Sequence, residues 1–424
     1  MVIQHKRTGS QRLGALVIGA SRLLLAPLFV VVLGLTGCGD SGDSTPERRL
    51  LVVVEQSIYE PLEARLERYA ETLAAEQVTV DIQPWEPGTV DELKNLLFEH
   101  VDEHGTEGAL LVGELPAEWY EGGPSGGYVD EFPLDQYLQD RDAVWVDQNG
   151  NGIYDFHTDL ELEIYTSRLT GTVDQLEAYF DRVERYRTEG PLVNVSGFIF
   201  IDDDWSYTYT ADFLGLGAYR SVEVIQKPGE STRENYLRSL TDRGAEFVYQ
   251  LIHSVETIIN FEEDNSFVQL TASDVVGHNL AASFVNMNNC YAARFTGPNL
   301  AEAYTVGTDH GLAIIGSTRK GPVPNSRYLH GLLTVTMAWG EAYRVWFNEA
   351  GKHSSKSLGV TIMGDPMLTL TGDVFPSNKS FEIGAMCEDQ ELAPPCGGAD
   401  ARPSTFEEYR KAHRHFFPDV TTPQ

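Results

Sequence analysis

The sequence predicts an α/β fold made of two tandem, mostly parallel subdomains, and three observations lead there. Short runs rich in Val, Ile and Leu alternate with amphipathic helical segments, an order that implies parallel strands with helices on the sheet faces. The alternation occurs twice and restarts near Gly190-Pro191. At 424 residues the chain is long enough for two domains or one large two-part domain.

In the first half, LLVVVEQ (Leu50–Gln56) reads as a buried strand and YEPLEARLERYAETLAAEQ as a helix. VTVDIQP alternates as a strand, VDELKNLLFEHVDEHG is helical, and GALLVGEL is a strand again. EIYTSRLTG gives a strand ending in a turn, followed by the amphipathic helix VDQLEAYFDRVERYRTEG. In the second half, VSGFIFIDDDW is a strand with an acidic end, and SVEVIQ and EFVYQLIH are strands around the helix STRENYLRSLTDRG. AASFVNMNNC, GLAIIGST and VTIMGDPML complete the strands, separated by NLAEAYTVG and one long helix, HGLLTVTMAWGEAYRVWFNEAG. The two subdomains are accordingly placed at 49–189 and 190–374, with a Pro/Gly/Ser-rich tail at 375–424 that wraps the surface.

The first 37 residues read as a lipoprotein signal peptide. Lys6, Arg7, Arg12 and Arg22 make a basic start, an apolar run covers 23–35, and Leu35-Thr36-Gly37-Cys38 closes it. The apolar run is too brief for a comfortable membrane span, the alternative being an uncleaved anchor helix. Acylated Cys38 then becomes the mature N-terminus, and its lipid holds the chain on a membrane surface without crossing it. Gly39 after the cysteine, rather than Asp, leans towards the outer membrane where a cell has one. Residues 38–48 are polar and Gly/Ser-rich, a flexible tether.

The formal charge is −32. Such a surface repels phosphate backbones, which argues against a nucleic-acid partner. Of the four cysteines, Cys38 is assigned to the lipid, while Cys387 and Cys396 lie close together in the tail. In an oxidising compartment those two are expected to pair as a disulfide. Cys290 is left over in an apolar segment, and an unpaired thiol there needs an explanation.

Cys290 ends one apolar strand segment and His253 ends another, 37 positions earlier. Beyond the carboxyl ends of parallel strands is where ligands and catalytic groups gather. A thiol needs a base to become a nucleophile near neutral pH, and an imidazole supplies it and later protonates the leaving amine. Buried free Cys and strand-end His are also common structural residues. His278 and His310 are competing bases.

The second half resembles the gingipain family of cysteine peptidases, relatives of caspases and legumains. EFVYQLIHS and ASFVNMNNC match the two hydrophobic blocks that end in that family's catalytic His and Cys. NLAEAYTVGTDHGLAIIGSTRKG is similar to its helix with Ala-Glu-Ala and the following strand, and MGDPML (Met363–Leu368) to its Gly-Asp-Pro-x-Leu signature. VDQNGNGIYDFHTDLELEIYTSRLTG resembles its acidic loop leading into a Gly-Arg-Leu-Pro strand end, here Ser167-Arg168-Leu169-Thr170. The likeness runs over residues 50 to 372. It implies a caspase-like fold whose second subdomain is catalytic, cleaving protein or peptide substrates through a His253–Cys290 dyad. Backbone N–H groups of Cys290 and Ser254 would stabilise the oxyanion. The family has Gly where Ser254 stands, and a required positive φ would strain a serine. The rival readings are an inactive binding or scaffold lipoprotein and a sortase-like transpeptidase.

A second candidate site is the loop at 147–158. Asp147, Asn149, Asn151 and Asp155 fall at positions 1, 3, 5 and 9 of a calcium loop, with Gly152 at 6 and the Ile153 carbonyl at 7. Position 12 is Thr158 instead of Glu, which predicts a weak, structural calcium site; a plain Asn/Gly turn is the alternative. The run Asp202-Asp203-Asp204 ends another strand, and reads as a pocket for a basic side chain, a cation site or a solvated loop.

Overall fold

The computed structural model describes residues 48–125, 128–206, 219–264, 266–334 and 337–371. The signal peptide, Cys38, the tether as far as residue 47, and the tail with Cys387 and Cys396 lie outside the described residues. Among the described residues no helix is long and apolar enough to cross a membrane.

Both halves of the chain join a single ten-stranded sheet. From one edge its strands are Val222–Ile225, Gly197–Ile201, Ala245–Leu251, Ala282–Met287, Ala313–Ser317, Val360–Gly364, Tyr165–Leu169, Gly108–Val112, Arg48–Glu55 and Val78–Trp85. Each overlaps a segment whose apolar run marked it as a strand, with Arg48–Glu55, Val78–Trp85 and Ala245–Leu251 reaching one or two residues beyond it. All neighbours are parallel except Ala313–Ser317 and Val360–Gly364, which run antiparallel. The seam between the halves is the pairing of Ile362 with Ser167 and Met363 with Arg168.

Burial on both sheet faces explains the unbroken apolar strands. Leu50 to Val54 are all fully buried. In the second half the faces separate by residue parity: Phe247, Phe284 and Ile315 join the cluster around Trp339 and Trp346, whereas Val248, Val285 and Ile314 face Tyr236 and Tyr304. Helix ends follow local chemistry. Thr89 with Glu92, and Thr172 with Gln175, close reciprocal capping boxes at Val90–His104 and Val173–Glu189.

The single long helix expected near the C-terminus is instead two helices, Ser326–Thr334 and Trp339–Glu349. The second starts afresh because the N–H groups of Trp339 and Gly340 go outward, to the carbonyls of Leu368 and Pro366. A Cβ at Gly340 would stand 2.4 Å from the Tyr165 ring, so only glycine allows the helix this close.

The Gly-Asp-Pro motif is structural. Gly364 has φ 107, and a Cβ there would meet the Leu312 carbonyl at 2.1 Å. Buried Asp365 accepts from Tyr69 Oη at 2.7 Å and Arg187 Nη2 at 2.8 Å, fastening two helices to the strand end.

At the seam, Arg168 is 1 % exposed and Asp135 fully buried. Arg168 Nε and Nη2 both donate to Asp135, at 2.9 and 2.7 Å, while Nη1 and Nη2 donate to the carbonyls of Leu115 and Pro116. Removing one partner leaves the other charge buried and unpaired. Arg168→Met should therefore cost about 3–5 kcal/mol, read as a lowered denaturant midpoint at unchanged m-value. A loss below about 1 kcal/mol, the scale of an exposed pair, would contradict it.

Candidate active site

The histidine and cysteine strands are parallel neighbours, with Gln250 opposite Met287. Neither candidate residue ends its strand as the sequence implied. The ladder stops at Leu251, and His253 opens a short strand, His253–Val255, that leads an antiparallel sheet with Ile258–Glu263 and Ser266–Thr271. Cys290 lies three residues past Met287. The two loops are tied where they meet: Ser254 Oγ donates to the Cys290 carbonyl at 2.6 Å. Ser254 is absent from the positive-φ residues, so the strain expected of a serine there does not arise. The strained residue is Tyr291, at φ 58, directly after the cysteine. Its N–H bonds the Arg319 carbonyl at 2.9 Å and its hydroxyl bonds Asp130 at 3.1 Å, which fixes the turn that presents Cys290.

His253 Nε2 is 2.7 Å from Asp204 Oδ2, and its ring packs against Trp205 with centroids 4.3 Å apart. Asp204 is thus a functional candidate whose role the sequence did not assign. Its strand, Gly197–Ile201, pairs with the histidine strand, Ile201 opposite Leu251. That neighbour relation was hidden because Val222–Ile225 intervenes in the chain. Hydrogen bonds with Glu262 and His253 hold the Asp204 carboxyl below its ordinary range, and the bond with Asp204 raises that of Glu262. Asp202 is fully buried, and burial pushes its carboxyl up to about 7 against the N–H groups of Glu262 and Asp203. Asp203 instead caps a loop through Ser231 Oγ and the Gly229 N–H.

The Cys290 thiol is half-buried and free. Burial raises its pKa; the Gly321 N–H, Lys320 and Lys356 act in the other direction. Of the competing bases, His278 closes a helix beside Asp274, and burial lowers His310 next to Asp309 and Arg182.

The 147–155 loop folds on its own carboxylate. Asp147 accepts from the N–H groups of Gly150, Asn151 and Gly152, which lowers its pKa. Asn149 and Asn151 accept from Asn151 and Ile153, and Asp155 from Gln148. Thr158 pairs with Val144 instead of facing the loop, whereas Glu121 from a neighbouring hairpin bonds both Asn149 and Asn151. The described carboxylates that converge within 4.8 Å are a different set, Asp140, Asp142 and Glu163. Backbone N–H groups already engage Asp140 and Glu163 there.

The sequence profile of peptidase family C25 matches residues 47–371, and the chain belongs to that family. Its fold is that of a gingipain-type cysteine peptidase. The crystal structure of the Arg-specific cysteine proteinase gingipain R is similar over 79 % of this chain and 81 % of that one, with a TM-score of 0.56 at 15 % identity. No curated protein matches the chain in sequence.

The resting thiol gives a pH prediction. A raised pKa keeps Cys290 protonated at neutrality, and the thiolate appears only as pH climbs past the ordinary thiol range. The rate of Cys290 alkylation by iodoacetamide should keep rising above pH 8.5, the unperturbed value being about 8.5. A plateau reached by about pH 7 would indicate a preformed thiolate–imidazolium pair and contradict this.

Proposed function

We propose that this protein is a cysteine endopeptidase, exported and held on a membrane by a lipid at Cys38. The observation that carries the catalytic part is the Ser254–Cys290 hydrogen bond, which places the thiol loop against the residue next to His253. Asp204 and Trp205 orient that imidazole.

His253 takes the Cys290 proton as sulfur attacks a substrate carbonyl carbon. The N–H groups of Cys290 and Ser254 hold the oxyanion. Imidazolium then protonates the leaving amine, the C–N bond breaks, and a thioester remains. Water, deprotonated by His253, releases the acid and restores the thiol. Asp204 keeps the imidazole in the required tautomer and steadies its charged form, as the acid of a catalytic triad does.

A second reading, a binding or scaffold lipoprotein on the same fold, draws on one observation: the resting imidazole bonds Asp204 rather than the thiol. The readings separate with a biotinylated electrophilic probe on wild type, Cys290→Ala and His253→Ala. Labelling lost in both variants supports the peptidase. A folded wild type that neither labels nor cleaves casein supports the scaffold. Asp204→Ala should lower kcat about 10–100-fold, less than loss of a fully buried triad acid, with KM little changed; equal activity would remove Asp204 from the mechanism.

The loop residues Asp147, Asn149, Asn151 and Asp155 and the Ile153 carbonyl fit a calcium ion in donor type. Glu121 would supply the acidic ligand that position 12 lacks. Bound calcium would pin the hairpin and loop beside the sheet. Calcium at ten times its dissociation constant should stabilise by about 1.4 kcal/mol, raising Tm by about 2 °C. Asp147→Ala should abolish the shift, and a wild type indifferent to EDTA would sink the site.

A further inference from the structure

A cavity of about 530 Å³ carries Arg319, Lys352 and Lys356 on its wall. No carboxylate lines it among the described residues, in a chain of net charge −32. Cys290 is not among the lining residues, but three contacts tie this wall to the turn that carries it. Arg319 accepts the Tyr291 N–H through its carbonyl. The Gly321 N–H is near enough to the Cys290 thiol to lower its pKa. The Lys356 stem crosses that same glycine, 3.0 Å from where a Cβ would stand.

The charges on this wall are unequal. Arg319 is neutralised by buried Asp130, Nε to Oδ2 at 3.2 Å, and spends Nη1 on the Ser355 carbonyl. Lys356 is half-buried, and its ammonium donates to the Lys320 carbonyl at a long 3.4 Å. No described carboxylate comes within ion-pair range of it. A partly desolvated ammonium without a counter-ion is stabilised by any carboxylate that reaches it. A basic substrate side chain would meet like charge there. Leu160, Phe347 and Leu358 supply apolar wall for the methylenes of a short acidic residue.

We propose that this cavity is the subsite for an acidic side chain of the peptide substrate, its carboxylate taken by Lys356. The proposal rests on the peptidase reading for turnover, so the test has a binding arm as well.

Quenched peptides, amidated at the C-terminus, carry Asp, Glu, Asn or Arg before or after the scissile bond and are offered to the full chain. Asp or Glu should exceed Asn and Arg in kcat/KM by about 10-fold or more, the worth of one charge-assisted hydrogen bond. Lys356→Met, which keeps the stem over Gly321, should erase the preference, and Lys356→Glu should turn it towards Arg. Cys290-dependent cleavage with a preference for Arg overturns the subsite and leaves the peptidase standing. A preference that appears only with a free C-terminus assigns the cavity to a terminal carboxylate and also overturns the proposal. In the binding arm, fluorescence anisotropy follows Cys290→Ala protein with a labelled acidic peptide and its Asn/Gln counterpart. Selective binding of the acidic peptide, lost in Lys356→Met, supports the subsite even where no peptide is turned over. Equal binding of the two overturns it.

Discussion

The fold depends on one buried ion pair, Arg168 with Asp135. Arg168 sits on the strand where the two halves of the sheet meet, in register with Met363. Its guanidinium is held by Asp135 and by the carbonyls of Leu115 and Pro116, and its face lies 4.0 Å over the Phe295 ring. Phe295 belongs to the loop that starts at Cys290. Asp135 in turn takes the Thr361 hydroxyl from the other side of the seam. One arginine thus links the first-half loops, the seam and the segment after the cysteine. Only a planar group with five donors does this, which explains why Arg stands in the middle of a strand that is otherwise buried.

From that seam the sheet sets the geometry of the candidate site by topology. Three strands, Gly197–Ile201, Ala245–Leu251 and Ala282–Met287, lie side by side and point the same way. Their carboxyl ends release Asp204, His253 and Cys290 on one edge of the sheet, where a parallel fold leaves room for chemistry. The reversal at Val360–Gly364 closes the parallel set and delivers Asp365 to Tyr69 and Arg187. Its glycine is required because the chain passes the Leu312 carbonyl too closely for any side chain.

The strands were legible because burial on both faces writes them as continuous apolar runs, and the same runs located His253 and Cys290. What was not legible is non-local. The strand order brings Asp204 to His253 although another strand separates them in sequence. The small sheet of His253–Val255, Ile258–Glu263 and Ser266–Thr271 alternates in burial only over Ile258–Phe261, while Ser266–Thr271 is mostly open and Phe267 is 59 % exposed. The break between the two C-terminal helices was invisible for a related reason: it is made by carbonyls at Pro366 and Leu368, remote in sequence. The Thr158 substitution was visible, but Glu121, the carboxylate that faces the loop instead, lies 26 or more residues before the loop on another element.

The electrostatics of the site follow from two opposed fields. The chain as a whole is strongly negative, and burial already disfavours a thiolate, so Cys290 rests as the thiol. Close to it the sign reverses: Lys320 and Lys356 lower the cost of a negative sulfur, and Asp130 raises it again by a smaller amount. Asp130 is also the group that neutralises Arg319 and bonds Tyr291. Its carboxylate therefore shapes the turn at Cys290 while neutralising Arg319, the most rigid of the three nearby cations. What remains active is a flexible lysine, and a lysine without an ion partner is a charge waiting for an anion. Whether that anion is the sulfur or an incoming carboxylate, both draw on the same ammonium. Under the proposed reading, a substrate carboxylate that takes Lys356 would withdraw part of the field that favours the thiolate, and activation would then fall to proton transfer to His253. Asp204 Oδ2 already lies 2.7 Å from the imidazole Nε2 in the resting chain, which fixes the ring for that role.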